Sequence, residues 1–204
     1  MIDSTSRLLR ERGAAAMSVQ TLMAAVGLTQ GGFYKHFKSK EQLVDLSTAR
    51  AFAEILDFLK STIEGFPDRA RARAELLRHY LSPEHRDAAA TGCANTALAS
   101  DAARAVAGSP MHAAYAGGVE KTIDALAEYE GAPDDDRAES RRRAIVDLAT
   151  MVGALTLARG TRETPLSDEI LQVVHEALAA PHPAESGRGG ADSAAGSATN
   201  SPSG

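Results

Sequence analysis

Ser18-Val19-Gln20-Thr21-Leu22-Met23-Ala24-Ala25-Val26-Gly27-Leu28-Thr29-Gln30-Gly31-Gly32-Phe33-Tyr34-Lys35-His36-Phe37 is the stretch that decides how this chain is read. Ser18 and Thr29 are residue types that cap helix N-termini, and Gly27 stands where a first short helix has to stop. The segment predicts one helix to about Val26 and a second, capped by Thr29, through about Phe37. Two short helices meeting at a tight turn are the layout of a helix-turn-helix, whose second helix enters the major groove of DNA. Val19, Leu22, Met23, Val26, Leu28, Phe33 and Phe37 supply an inward face. Gln20, Thr29, Gln30, Tyr34, Lys35 and His36 are left outside.

That outer set suits duplex DNA. Gln pairs bidentately with adenine, and Lys reaches guanine O6/N7 or a phosphate. Hydroxyls and free backbone N–H groups at helix N-termini, as at Ser18 and Thr29, bind phosphates. Gly31-Gly32 weakens the second helix but lets its backbone approach the groove floor. Lys40, in the first turn of the following helix, is placed to hold the DNA backbone. Taken singly these are ordinary surface residues; with caps, turn and flanks in register they read as contacts.

Outward from this segment the punctuation is helical throughout, and no stretch alternates with period two. A first helix runs from about Ile2 to Arg12 and ends at Gly13. Ser39 with Gln42 three residues on is a capping-box pattern that opens a long helix to about Glu64. Gly65-Phe66-Pro67 breaks the chain and Asp68 caps a helix that must end before Pro83. Residues 82–92 read as a loop, followed by a helix from about Asn95 to Ala107. Ser109-Pro110 starts another, to about Glu130, with Gly117-Gly118 in its middle, either a kink or a place where something packs on bare backbone. Gly131-Ala132-Pro133 is the next break, and Asp134-Asp135-Asp136 suits the N-terminus of the next helix. A last helix is expected with Ser167 as its cap. From 181 to 204 the composition falls to Gly, Ala, Ser and Pro and predicts a disordered tail.

Composition agrees. The chain has 204 residues, 44% apolar and 24% charged, is rich in Ala, and holds one Cys. A single Cys excludes an intramolecular disulfide framework, and the absence of a signal-like N-terminus or a membrane-length apolar run points to a cytoplasmic protein. Net charge is −5, yet residues 1–46 carry six cations against four acids. A basic N-terminal unit on an acidic body is the asymmetry that matters. No phosphate loop, nucleophile–base pair, Cys-x-x-Cys or His-Glu-x-x-His spacing occurs, so an enzyme, a metal site and a cofactor are not expected.

In Thr29-Gln30-Gly31-Gly32-Phe33-Tyr34-Lys35-His36-Phe37-Lys38-Ser39-Lys40-Glu41-Gln42-Leu43, and less densely from Ile2 to Asp45, the chain resembles the TetR family of transcriptional regulators. The resemblance implies an all-α homodimer with a three-helix DNA-binding head (1–46) and a larger helical body (47–180) for effector binding and dimerisation. It implies a repressor of a palindromic operator that a small molecule releases. It assigns DNA contact to Ser18, Gln20, Thr29, Gln30, Gly31, Gly32, Tyr34, Lys35, His36 and Lys40. The family usually places basic residues ahead of the first helix, whereas here the helix begins at Met1. A helical interaction module without DNA binding, and an activator or ligand-independent regulator, are the rival readings.

In the body, Phe58, Phe66, Tyr80, Cys93, Met111, Tyr115 and Met151 are candidates to line a pocket for an apolar or aromatic effector, with core filling as the alternative. Cys93 reads as a small buried hydrophobe. Arg141-Arg142-Arg143 reads as a salt-bridged helix face. Ile145, Leu148, Val152 and Leu155 form a seam on one helix, and Ile170, Leu171, Val174 and Leu178 a face on the next. Being the last two helices, they match the pair that builds the dimer interface in TetR-like proteins.

Overall fold

A computed structural model describes residues 1–27, 30–129 and 137–180. Among these residues every regular element is a helix: α1 (Ile2–Arg12), α2 (Val19–Val26), α3 (Gln30–Phe33), α4 (Lys40–Gly65), α5 (Arg69–Tyr80), α6 (Pro83–Asp87), α7 (Ala94–Arg104), α8 (Pro110–Tyr129), α9 (Arg137–Gly160) and α10 (Pro165–Ala179). The cap of α3 at Thr29, the break at 131–133, the acidic run at 134–136 and the tail at 181–204 lie outside the described residues.

Local chemistry sets most boundaries. Ser18 accepts the Thr21 N–H at 3.0 Å, and Asp68 accepts the Arg71 N–H at 2.8 Å. Ser39 accepts the Gln42 N–H at 3.2 Å, but the Gln42 amide oxygen takes the N–H of Lys38 rather than that of Ser39. The box is thus stretched by one residue and ties α4 to the chain entering it. Gly13 ends α1 at φ 75°, ψ 165°, outside the left-handed helical cap conformation and in a region that only glycine adopts readily.

Four expectations need correcting. α3 spans four residues and gives way to a turn, because Gly31-Gly32 has little intrinsic helicity. α7 stops at Arg104, three residues short of the expected end. Residues 82–92 are not all loop: Ser82 accepts the His85 N–H at 3.1 Å and Pro83 follows at N1, so α6 forms. Pro165 likewise stands at N1 of α10, although the Thr164 hydroxyl donates to the Thr161 carbonyl at 2.7 Å instead of capping; Ser167 is left inside the first turn, buried, donating to the Ala158 carbonyl at 2.8 Å.

The 26-residue α4, about 39 Å long, is the axle of the molecule, packed between α1 and α8. Its first half joins a core with Leu9, Leu22, Phe33, Phe37 and Leu43; its second half joins a larger core with Leu76, Leu126, Leu148, Leu155 and Leu171. Phe52 and Leu98 belong to the first core, so body helices help to bury the N-terminal helices. The packing does not stop at residue 46.

Gly117-Gly118 resolves into two unlike glycines. A Cβ on Gly118 would lie 2.3 Å from Phe52 Cγ, whereas one on Gly117 would meet nothing within 4 Å. The Phe52 ring therefore rests on bare α8 backbone. We predict opposite signs for the two alanine substitutions. G117A should stabilise by about 0.5–1 kcal/mol through helix propensity, and G118A should destabilise by about 1–3 kcal/mol through overpacking. Urea unfolding of both variants checks this, and equal effects would exclude the close approach.

α6 also fixes His85. Its Nδ1 lies 2.8 Å from the Tyr80 carbonyl, and its Nε2 accepts the Cys93 N–H at 3.1 Å. Burial, with the nearby Arg159 cation and His79, lowers its pKa to about 4. The unfolded chain, titrating near 6.5, takes up the proton first, so this contribution is complete above about pH 6.5 and is lost as pH falls toward 4. Lowering the pH from 7 to 5 should cost about 2 kcal/mol through this group. Unfolding of wild type and His85→Gln at both pH values measures it; an equal acid loss in the two proteins would refute the assignment.

Candidate nucleic-acid interface

Phe33 is fully buried and Phe37 nearly so, their rings 5.6 Å apart in the first core. Anchoring residues 33 and 37 forces 34, 35 and 36 outward. Tyr34 is 62% exposed, with its ring edge-on to Phe33 at 5.0 Å, and Lys35, His36 and Lys38 are exposed beside it. At the C-terminus of α2, Gly27 adopts φ 70°, ψ 27°, and its N–H closes the helix on Met23 and Ala24 carbonyls. That left-handed residue ends α2 abruptly.

Of the sequence-predicted contact residues, Ser18, Gln20, Gly31, Tyr34, Lys35 and His36 are exposed, while Gly32 and Lys40 are half-buried. Thr29 and the Gln30 side chain lie outside the described residues. Ser18 is partly committed, since its Oγ serves as the cap and lies 2.8 Å from Thr21 Oγ1. Lys35 and Lys38 form no ion pair with a carboxylate among the described residues, whereas Lys40 sits near the Glu41 carboxylate, whose pKa it helps to lower. The body differs. Arg141 bridges Glu120 at 2.7 Å and Asp124 at 2.8 Å, Arg142 holds Glu139 at 2.8 Å, and Arg86 holds Asp168 at 2.6 Å. Two arginines sharing Glu139 lower its pKa to about 2. The Arg141–Arg143 run is accordingly a paired helix face, whereas Lys35 and Lys38 of the head are not paired with a carboxylate among the described residues.

The head is fastened to the body by polar contacts that sequence patterning did not expose. Arg10, on α1, has a 1% exposed side chain. Its Nη1 donates to the Gly92 carbonyl at 3.1 Å, and its Nη2 meets Glu54 of α4 at 2.5 Å. Glu54 also lies 3.6 Å from Arg50, which pairs with Asp3 of α1 at 2.6 Å. Farther along, Asp101 of α7 accepts the Ala14 N–H at 3.0 Å. The only foreshadowing in the sequence is that Arg10 lies one turn after Ser6 on a helix whose inward face needs filling.

Arg10 also borders a cavity of about 160 Å³ in the body. Phe58, Tyr80, Cys93 and Met151, four of the seven candidate lining residues, reach it. The other three do not. Phe66 is partly exposed at the end of α4, and Met111 packs against the first core. Tyr115 stands edge-on to Phe52, and its hydroxyl donates to the Asn95 carbonyl at 2.8 Å; burial raises its pKa to about 12. Glu54, His79, His85, Asn95 and Thr122 line the cavity as well, and were not singled out from the sequence.

The two apolar faces of α9 and α10 divide. Leu148, Leu155, Leu171 and Leu178 are buried within the subunit, packed into the second core, and so are not free to meet another chain. Val152, Ile170 and Val174 sit half-buried at its margin, and Ile145 is exposed. Exposed instead are Ile145, Val146, Leu157, Leu166 and Val173, five of the nine exposed large hydrophobics of the described residues. The seam faced both ways: its leucines turn inward and its neighbours turn out.

Residues 1–46 match the family model of bacterial regulatory proteins of the tetR family. Among curated relatives, the HTH-type transcriptional repressor KstR2 of Rhodococcus jostii (strain RHA1) is 32% identical over 82 residues, 39% of this chain and 40% of that one. The HTH-type transcriptional repressor DhaR of Mycobacterium sp. (strain GP1) is 27% identical over 82 residues, 40% of each chain. The chain thus spans about 40% of the length of these relatives. Fold likeness reaches further. The reduced form of E. coli NemR superposes with a TM-score of 0.72 at 19% identity, covering 87% of this chain and 92% of that one. A TetR transcriptional regulator from Chloroflexus aurantiacus gives 0.71 at 22% identity, covering 87% and 89%. No helix among the described residues is long and apolar enough to cross a membrane. The helix-turn-helix segment thus matches the tetR family model over residues 1–46, and the all-helical fold is shared with solved proteins of that family.

Proposed function

We propose that the chain is a dimeric DNA-binding repressor whose head, residues 1–46, presents α3 and the turn after it to the major groove. The observation that supports this best is the run Tyr34-Lys35-His36, held outward by the buried Phe33 and Phe37, with Lys35 and Lys38 both exposed and paired with no carboxylate among the described residues. Uncompensated cations next to an exposed aromatic and exposed Gln20 combine phosphate attraction with base-edge chemistry. Thr29, Gln30, Gly31 and Gly32 complete the proposed contact set, with Ser18 and Lys40 on phosphates.

The body, residues 47–180, is the proposed dimerisation and effector-binding part. Ile145, Val146, Leu157, Leu166 and Val173 form its dimer face, with Val152, Ile170 and Val174 at the margin. Large apolar side chains exposed on two packed helices are costly to leave in water, and Gly153, whose Cβ position is open, allows close helix approach. The effector site is the cavity beside Arg10. A ligand there acts by its differential affinity for the released state, and Arg10 and Asp101 carry the difference to α1 and to the turn after it. An enzymatic role is not proposed.

Two outcomes test this reading. On a duplex covering the DNA upstream of its own coding sequence, K35A should weaken binding and reduce the slope of log affinity against log salt by about 1 per head. Y34A should cost about 1–3 kcal/mol with the slope nearly unchanged. Binding unaffected by both substitutions would reject the interface. Val146→Glu with Leu157→Glu should convert a dimer into a monomer in analytical ultracentrifugation without loss of helicity; a dimer that survives both changes would place the interface elsewhere.

A further inference from the structure

We infer that the cavity beside Arg10 takes a small neutral molecule, about the size of one aromatic ring, that carries a hydroxyl group. The inference deepens the reading of the body as an effector-binding part. Size comes first: a cavity of about 160 Å³ is comparable with the ~150 Å³ apolar cavity that accommodates benzene. Phe58, Leu59, Leu126, Leu148 and Met151 supply apolar walls.

The polar part of the lining is incomplete. Asn95 is 2% exposed, with its Nδ2 3.5 Å from Cys93 Sγ and its Oδ1 without a partner. Rotating the amide by 180° exchanges which end is unpaired, but one end always is. Arg10 uses Nη1 and Nη2 on Gly92 and Glu54, while its buried Nε donates to nothing. Contacts running from Glu54 through Arg10 and Gly92 to Cys93 and Asn95 gather these groups along one side of the cavity. Buried polar atoms in native proteins are ordinarily satisfied, so two side chains that line one cavity and each keep an unpaired polar atom favour an occupant toward which they turn and with which they pair.

Charge narrows the class. Glu54 already neutralises Arg10 at 2.5 Å, so a carboxylate would bring a second anion to one guanidinium. An ammonium would face the Arg10 cation and a His85 whose ring nitrogens are both engaged. Of the lining hydroxyls, that of Thr122 is spent on the Gly118 carbonyl at 2.8 Å and that of Tyr80 lies 3.3 Å from Thr96 Oγ1, while Thr91 adds a further hydroxyl to the polar lining. A ligand hydroxyl donates and accepts through one oxygen, so it satisfies Arg10 Nε as acceptor and either orientation of the Asn95 amide.

Calorimetric titration of the full chain, without DNA, with phenol, toluene and benzoate tests this. Phenol should bind at least 10-fold more tightly than toluene and benzoate, because a site with unpaired polar groups rejects the analogue that lacks the hydroxyl. Asn95→Leu should reduce the preference for phenol over toluene to within about 3-fold, and Leu126→Phe, which fills the cavity from its apolar side, should weaken both ligands at least 10-fold. Toluene binding as tightly as phenol to wild type, benzoate binding more tightly than phenol, or no binding of any probe would each overturn the inference, whether or not either variant folds. A chain that binds phenol but not DNA would overturn only the regulator reading; one that binds DNA but no probe would overturn only this inference.

Discussion

The arrangement of this molecule turns on one buried cation. Arg10 belongs to the first helix of the head, yet its guanidinium lies inside the body, shared between the Gly92 carbonyl and the Glu54 carboxylate. Removing one member of such a pair leaves an uncompensated buried charge, a loss of about 3–5 kcal/mol, whereas the intact pair adds little net stability over a well-packed apolar contact. The pair is better understood as a register device. It admits one placement of α1 against α4 and against the loop before α7, and the Asp3–Arg50–Glu54 chain repeats that instruction on the solvent side.

Once α1 is fixed, the rest of the head follows by packing. Leu9 meets Leu22, Phe33 and Leu43 in one core, and that core is completed by Phe52, Ala94 and Leu98 from the body. The three-helix head therefore does not close on itself. Phe52 reaches α8 only because Gly118 has no side chain to obstruct it. A displacement of α7 or α8 would be felt at the same residues that hold Phe33, and Phe33 in turn sets the outward course of residues 34–36.

Legibility in the sequence followed the range of the interaction. Caps are local, so Ser18, Ser39 and Asp68 could be read directly, and Ser82-Pro83 and Thr164-Pro165 would have been readable by the rule already applied at Ser109-Pro110. The outward run Tyr34-Lys35-His36 was legible because two flanking phenylalanines demand burial at a helical spacing. What failed depended on contacts distant in sequence. Periodicity told that α9 and α10 each have an apolar face, but not that Leu148, Leu155, Leu171 and Leu178 would be used up by α5 and α8 within the subunit. Arg10 looked like one more cation of a basic head, since nothing near it in sequence announces Glu54, 44 residues on, or Gly92, 82 residues on.

The position of the cavity relative to these ties has a mechanical consequence. Asn95 lies in the first turn of α7 and Asp101 near its end, six residues or about 9 Å along one rigid rod. One end of that rod borders the cavity; the other holds the N–H of Ala14, in the turn after α1. Arg10 borders the same cavity from α1 itself. Any occupant that draws Asn95 or the Arg10 guanidinium toward itself acts on both ends of the short segment from Arg10 to Ala14, which contains Gly13 in a conformation that tolerates no other residue easily. On the proposed reading of the cavity as an effector site, these two ties, Arg10 to Gly92 and Ala14 to Asp101, are the contacts through which a displacement there would reach the first helix.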